Sequence, residues 1–447
     1  MPSHQVRFAL PRDLGDGLVL RWATAHDTEA LACFNLSIHS EDPEQPDTWL
    51  AHWTRDLMSG AHPTTGPGDF TVVVDQRQDG RIVSSMCWIS QAWAYEDIPF
   101  AVGRPELVGT DPAYRRQGLV RAQFEAMHAL SAARGEAVQA ITGIPWYYRQ
   151  FGYEMAVDLG GSRRQYWPRL VRLKDGEQER STLREATLQD IPLLAQLYDI
   201  HRGAGMISCL RDEAAWRWLL NAGARTNYWP RYYLVEDPRG TPDGYLAAHP
   251  SPGGETMHIQ EVAALPGHSL RAVCTFVGRA LKARAEALNP ARAKPITHLN
   301  WELGAAHPAY EALGSDLEQQ EPPYAWYLRV ADLPAFLRRI APVLERRLAG
   351  SVLDGYSGTL RLSFYTSSLT LVFERGTLAD IGGFTPKRLG DGDALFPDLT
   401  FLQLLFGHRD RAELRHARAD CYTHDQDAAV LLDVLFPRRP SCPIPLA

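Results

Sequence analysis

The sequence predicts an α/β (α+β) protein made of two related units in tandem, followed by a third unit of different pattern. Three observations lead there. An octapeptide recurs: Leu20-Arg21-Trp22-Ala23-Thr24-Ala25-His26-Asp27 returns as Leu183-Arg184-Glu185-Ala186-Thr187-Leu188-Gln189-Asp190. A strand, a basic glycine-containing turn and a helix follow one another over 106–134 of the first copy. After about residue 330 the chain changes to alternating apolar residues separated by tight turns, the mark of an antiparallel sheet.

Each octapeptide reads as a short strand, a turn and an amphipathic helix capped by its Asp, which places helices over 27–36 and 190–200. The units therefore begin near residues 18 and 182, and the polar stretch 174–180 joins them. In the first unit, apolar runs at 71–74 and 82–86 flank Asp79-Gly80, a hairpin signal. Pro112 ends the strand that closes at Thr110, and a helix is expected over 118–134. Val120, Phe124, Met127 and Leu130 form its apolar stripe and Gly135 its stop. A strand over 138–144 comes next, then the aromatic segment 146–153. In the third unit Leu360, Leu362 and Phe364 alternate with polar residues, as do Leu369, Leu371 and Phe373. Gly376 turns the chain into a strand with Leu378 and Ile381, and helices are expected over 401–406 and 428–435.

The bulk properties narrow the class. With 447 residues, 45% of them hydrophobic and 22% charged, the chain has enough apolar material for several packed cores. A net charge of −7 argues against binding nucleic acid by overall basicity. Six scattered cysteines with no CxxC suit reduced thiols rather than a disulfide scaffold. The first residues show no signal-peptide pattern and no apolar run is long enough for a membrane span, so a cytoplasmic protein is expected. Among the 15 histidines there is no HExxH, and no metal site is expected.

The turn at 115–120 carries the chemistry. A helix start offers unpaired N–H groups and the positive end of the helix dipole, a natural seat for phosphate. Gly118 lets the backbone approach a pyrophosphate, and Arg115 and Arg116 have the geometry to pair with its oxygens. A solvated basic turn opening a helix fits the same residues when the turn is read alone.

In context, the strand, the loop from Thr110 to Gly118, the helix and the Tyr/Phe/Gly segment one strand later resemble the GCN5-related N-acetyltransferase pattern. Its coenzyme A loop is commonly Arg or Gln, two residues, Gly, one residue, then Gly or Ala. Val120 stands at that last position, a departure shared by the Eis-like (enhanced intracellular survival) subgroup. That subgroup joins two acetyltransferase-type domains to a C-terminal domain similar to sterol carrier proteins, and the resemblance covers nearly the whole chain. It implies a catalytic domain over 1–160, a second and degenerate one over 161–327, and the carrier-like domain over 328–447. It also implies acetyl-CoA as co-substrate, a small polyamine or aminoglycoside-like amine as acceptor, and assembly into trimers or hexamers. A protein amine as acceptor, or an acyl-CoA sensor without turnover, are the other readings.

The resemblance assigns residues as well. Val108, Gly109 and Thr110 would offer backbone groups to the pantetheine arm. Arg116, Gln117, Gly118, Leu119, Val120 and Arg121 would cradle the pyrophosphate, with Thr142, Gly143 and Ile144 beside the thioester. Tyr148 sits where relatives place the acid that protonates the departing sulfur, and a phenol with an ordinary pKa of ~10 suits that work. Tyr147 and Tyr153 are read as core. The terminal carboxylate of Ala447, on a proline-rich tail, is expected as general base. The acidic run 41–47 would border the acceptor. In the second unit the matching turn, Ala264-Leu265-Pro266-Gly267-His268-Ser269-Leu270-Arg271, has one glycine and no paired arginines, so that copy is expected to be structural.

Overall fold

The repeated octapeptide folds the same way twice. In the first copy the Arg21 guanidinium grips the Asp27 carboxylate at 2.7 and 2.9 Å, and the Thr24 backbone N–H and hydroxyl donate to it at 2.8 and 3.0 Å. In the second, Arg184 holds Asp190 at 2.9 Å through two nitrogens, with the Thr187 N–H and hydroxyl at 2.7 and 2.8 Å. A carboxylate held by four donors has little freedom, so it fixes the angle at which strand passes into helix. The Asp thus closes a 3₁₀ turn (Ala25–Asp27, Leu188–Asp190) ahead of each helix and makes no cap bond to the helix itself.

The computed structural model describes residues 10–42, 44, 46–225, 229–388 and 390–446. The first part of the chain forms β1 (Arg12–Gly15), β2 (Leu18–Trp22), α1 (Thr28–His39), α2 (Thr48–Met58), β3 (Phe70–Asp75), β4 (Arg81–Tyr95), β5 (Ile98–Thr110), α3 (Leu119–Ala133), β6 (Val138–Ile141) and β7 (Glu154–Leu159). The β3–β4 turn uses Asp79 and Gly80 at φ 51° and 74°, as the hairpin signal requires. β6 ends at Ile141, short of 144, where the chain turns at Gly143 with φ 108°.

The next part forms β8 (Ser162–Tyr166), β9 (Thr182–Glu185), α4 (Ile191–Arg202), β10 (Ile207–Cys209), α5 (Glu213–Arg225), β11 (Arg231–Glu236), β12 (Pro242–Pro250), β13 (Thr256–Ala264), α6 (Leu270–Leu288), β14 (His298–Trp301), α7 (Pro308–Leu313), β15 (Gln320–Glu321) and β16 (Tyr324–Val330). The last forms α8 (Leu333–Ala349), β17 (Gly358–Ser363), β18 (Ser368–Glu374), β19 (Thr377–Gly382), β20 (Ala394–Leu395), α9 (Phe401–Leu405), α10 (Arg411–Ala417), β21 (Tyr422–Thr423) and α11 (Gln426–Leu435). No helix among the described residues is long and apolar enough to cross a membrane.

These strands form three sheets, in the orders β1-β2-β3-β4-β5-β6-β16-β7, β15-β8-β14-β13-β12-β11-β9 and β19-β18-β17-β20-β21. The first two have exchanged a strand. β16 lies between β6 and β7, pairing Tyr327 with Ile141 on one side and Tyr324 with Leu159 on the other. Reciprocally, β8 lies between β14 and β15 of the second sheet, with Trp301 opposite Arg163 on one side and Gln320 opposite Arg163 on the other. β10 adds to the far end of β4, pairing Cys209 with Trp93. Residue 327, where the second unit was expected to end, is therefore inside a strand of the first sheet.

The third sheet does not stand apart either. Trp93, Tyr95 and Phe100 of the first sheet, Phe336, Ile340 and Leu344 of α8, and Leu362 and Leu371 of the third sheet share one buried cluster. Trp326 of the exchanged strand joins it, 3% exposed and edge-on to Trp93 at 5.8 Å. Trp326→Ala is expected to cost about 3–5 kcal/mol. Because β16 ties the sheets together, urea unfolding followed by probes in the first and second sheets should shift to the same lower midpoint.

Candidate active site

β4 and β5 pair along most of their length with one break. Ser85 faces Gly109, but Cys87 faces Glu106, so the ladder bulges around Leu107, which sits at φ 50°. β5 and β6 pair in parallel only at Val102–Val138 and Gly103–Gln139. Past Gly103 the strands part, and β6 no longer takes the backbone groups of β5. A cleft of about 660 Å³ opens there.

Ten residues singled out from the sequence line this cleft: Val108, Gly109 and Thr110 on β5, Arg115, Arg116 and Gly118 in the turn, Leu119, Val120 and Arg121 at the start of α3, and Ile144 after β6. Gln117, Gly143 and Tyr148 are not among the lining residues. Ile38, His39, Tyr114, Tyr147, Gln150 and Phe151, which sequence reasoning did not place there, are. Tyr147, expected in the core, is half-buried at the wall. The missed α1 residues left little signal, since only the return of α1 onto β5 brings them to the cleft.

Local chemistry holds the turn in shape. Tyr114 is buried, donates to Asp75 at 2.8 Å and accepts from Gln78 at 2.6 Å, which pins the turn to the end of β3. Asp111 accepts from the Ala113 N–H at 2.9 Å and pairs with Arg81 at 2.5 Å. Arg116 and Gly118 take φ 65° and 77°, which reverses the chain and directs the first turn of α3 into the cleft. Gly118, the N-cap, has no side chain to claim those N–H groups. Arg115 and Arg116 are exposed and make no ion pair with any described residue. The cleft thus presents two uncompensated guanidinium groups and an uncapped helix start, a good anion seat.

Behind Tyr147 stands a buried aromatic cluster. Tyr148, 3% exposed, packs against Tyr147, Tyr327 and Phe124 at 5.2, 5.6 and 6.1 Å between ring centres. Burial, reinforced by the nearby Glu106 charge, pushes its phenol well above the ordinary tyrosine range, and no described residue hydrogen-bonds its hydroxyl. Tyr153 is core, as expected, with its hydroxyl 2.9 Å from His128.

The C-terminal segment reaches the same strand. The Ile207 N–H donates to the Ser441 hydroxyl at 2.9 Å, and the Leu446 carbonyl accepts from Arg104 at 2.8 Å and from Gln91. Arg104 is itself paired with Glu106 and lies over the Trp326 ring at 5.4 Å. Ala447, expected as general base, is outside the described residues. Glu41, Asp42 and Glu44 of the acidic run are exposed, and Pro43 and Gln45 are outside the described residues. No group of three or more His, Cys, Asp or Glu side chains among the described residues is arranged to hold a metal.

Comparison with known proteins finds a match over the first part of the chain. Residues 21–156 match the family model described as an acetyltransferase (GNAT) domain. The chain carries a GNAT acetyltransferase domain. A search of curated proteins finds no significant match. Among solved structures the chain is similar to a conserved protein of unknown function from Enterococcus faecalis, a probable N-acyltransferase. They are 14% identical, with TM-score 0.70, covering 96% of this chain and 99% of that one. It is also similar to a GCN5-related N-acetyltransferase from Kribbella flavida (17%, TM-score 0.66, 96% and 98%) and to Eis1 from Mycobacterium abscessus (16%, TM-score 0.60, 95% and 99%). At these identities the likeness is one of fold, and it runs end to end.

The second sheet also has a parallel pair that parts, but there the opening is filled. β13 and β14 pair in parallel only as far as Ile259–Trp301 and then part. There Glu261 is buried and takes Arg211 at 2.5 and 3.1 Å and the Tyr245 hydroxyl at 3.0 Å. The turn is shorter, 265–269 against 111–118, and Ser269 caps α6 by accepting the Ala272 N–H at 3.2 Å. The helix start that is open in the first copy is satisfied internally in the second. In the open copy, Gly118→Ala meets no steric obstacle but forces an L-residue to φ 77°. Denaturant titration should show a loss of about 1–2 kcal/mol.

Proposed function

We propose that the protein is an N-acetyltransferase that moves acetyl from acetyl-CoA to a primary amine, the acceptor being a small polyamine or aminoglycoside-like molecule. The observation that carries the reading is the cleft between β5 and β6. It holds an uncapped helix start and two unpaired arginines, and Tyr148 is buried against Tyr147 of its wall. Residues 115–121 would hold the pyrophosphate. Val108, Gly109 and Thr110 would offer the free edge of β5 to the pantetheine arm as to an added strand, with Ile144 opposite. Gln117 and Gly143 would act through the backbone shape of their turns. The choice of a small-molecule acceptor rests on the resemblance of the sequence to the Eis-like subgroup.

In this reading Tyr148 gives its proton to the departing sulfur. Its surroundings suit an acid, since burial keeps the phenol protonated, and the hydroxyl is not spent on another side chain. The tail contribution expected of Ala447 is supported by the docking of Leu446 on Arg104, within the same stretch of β5. The division into units 1–160, 161–327 and 328–447 becomes a division of labour: the first binds and reacts, the second braces, and the third, carrier-like in resemblance, delivers the tail.

Calorimetric titration of acetyl-CoA should show one site per chain, abolished in Gly118→Asp, which places a carboxylate at the phosphate seat. Two sites, or unchanged affinity in the variant, would refute the assignment. Thiol release from acetyl-CoA, followed with a panel of polyamines, aminoglycosides and lysine peptides, identifies the acceptor class.

Tyr148→Phe should lower kcat by about 10²-fold or more while coenzyme affinity stays near wild type. The raised pKa fixes the sign of the pH dependence: the acid form persists above pH 10, so kcat should show no tyrosine-like decline between pH 8 and 10. A decline centred near 10 that vanishes in Tyr148→Phe would contradict the burial argument.

A further inference from the structure

Away from the cleft, the second sheet carries a row of polar side chains where the first carries a largely apolar one. In each sheet a parallel pair parts, and one row of side chains crosses the strands just before the parting. In the first sheet that row is Gln91, Val102, Val138 and Val330, with Val102 and Val138 buried in the cluster shared with the third unit. In the second it is His249, His258, Asn300 and Arg164. Ala248, Met257, Ile259, Leu299 and Trp301 belong to the core that α6 covers, so alternation along the strands puts His249, His258 and Asn300 on the opposite face.

The two histidines stand side by side. His249 of β12 is directly opposite His258 of β13, and their rings stack with centres 5.0 Å apart and planes 16° from parallel. Both are half-buried. His249 Nδ1 lies 3.3 Å from the Pro250 carbonyl, and His258 Nδ1 lies 2.5 Å from Glu302 Oε1. A carbonyl and a carboxylate only accept, so each ring carries its proton on Nδ1 and keeps the lone pair on Nε2. Among the described residues neither Nε2 has a hydrogen-bond partner, and neither is sealed from solvent. Asn300 steadies Glu302 in turn, donating from Nδ2 to Oε1 at 3.0 Å.

An imidazole that binds a metal commonly has this arrangement, one nitrogen fixed by a carboxylate or a main-chain carbonyl and the other free. Two nitrogens on one tetrahedral zinc stand about 3.4 Å apart, at bonds of about 2.0–2.1 Å. Rings with centres 5.0 Å apart reach that separation by modest rotation about χ2, a broad torsion. His298 of β14 is not a third ligand, since its two nitrogens are engaged with Thr297 and Thr256 at 3.0 and 3.1 Å. We propose that His249 and His258 bind one divalent transition-metal ion, of the zinc, nickel or copper class, through their Nε2 atoms, with Glu302 and Asn300 orienting the His258 ring. Paired imidazoles suit these ions, whereas magnesium and calcium take oxygen ligands. Water fills the remaining coordination positions, and the ion clips β12 to β13. The site is independent of the acetyltransferase reading, because no step of that reaction involves it.

The test uses the full chain without an affinity tag, freed of metal by dialysis against a chelator and titrated with zinc chloride in a calorimeter. One ion per chain should bind in the micromolar range and raise Tm. His249→Ala and His258→Ala should each abolish that binding, and Glu302→Gln should weaken it about 10–100-fold. His298→Ala should leave it unchanged. Zinc that does not bind wild type, or that binds the His249→Ala/His258→Ala double variant equally well, overturns the proposal. If the substitutions prevent folding, wild type alone decides through chemical protection. Bound zinc should shield His249 and His258 from carbethoxylation by diethyl pyrocarbonate, read by peptide mass, and labelling of both at the zinc-free rate overturns the site.

Discussion

The exchange of β16 for β8 is the constraint on which the rest of the structure depends. The first sheet is completed by β16, which the chain supplies only after it has built the second sheet, and the second takes in β8 directly after β7. Without β16, β6 and β7 would face one another across a gap, and the buried Trp326, Tyr327 and Leu328 would be exposed. Backbone pairing and aromatic burial both act across the exchange, so neither sheet gains its full stabilisation until the other has formed.

That coupling reaches the cleft. Tyr327 on the exchanged strand packs on Tyr148, and its hydroxyl accepts the Trp146 N–H at 2.6 Å, which holds the 3₁₀ turn of Tyr147–Phe151 in place. Trp326, on the opposite face, supports Arg104, which in turn holds Leu446 and neutralises Glu106. A strand encoded well over a hundred residues after Tyr148 thus sets the position of that tyrosine and of Leu446. The second unit acts through this route, while its own parted strands are filled by the Arg211–Glu261 pair.

The two copies show how small a chemical change separates an open site from a closed one. Both place a turn and a helix start after a strand that leaves its parallel neighbour. In the first, Gly118 leaves the helix N–H groups free and two arginines stand uncompensated beside them. In the second, a serine hydroxyl satisfies the same kind of N–H group, and His268 is paired with Asp243 at 2.8 Å. An anion would find donors available in one and already engaged in the other.

The sequence by itself determined what local chemistry controls. The octapeptide carried the Arg–Thr–Asp lock in both copies, Asp79-Gly80 its hairpin, and the alternating apolar residues after 330 their strands. Most of the cleft lining was legible for the same reason: a turn, a helix start and a strand end lie within about fifteen residues of chain. The tertiary structure decided what depends on contacts between distant segments. No pattern in 324–330 or 162–166 announces a partner sheet, because a strand's own sequence shows which of its faces can be buried and not which sheet it joins. His39 was invisible as a wall residue and Tyr147 was misread as core. A helix face or an aromatic cluster shows its periodicity in sequence, but which surface it meets is fixed only when the chain folds back on itself.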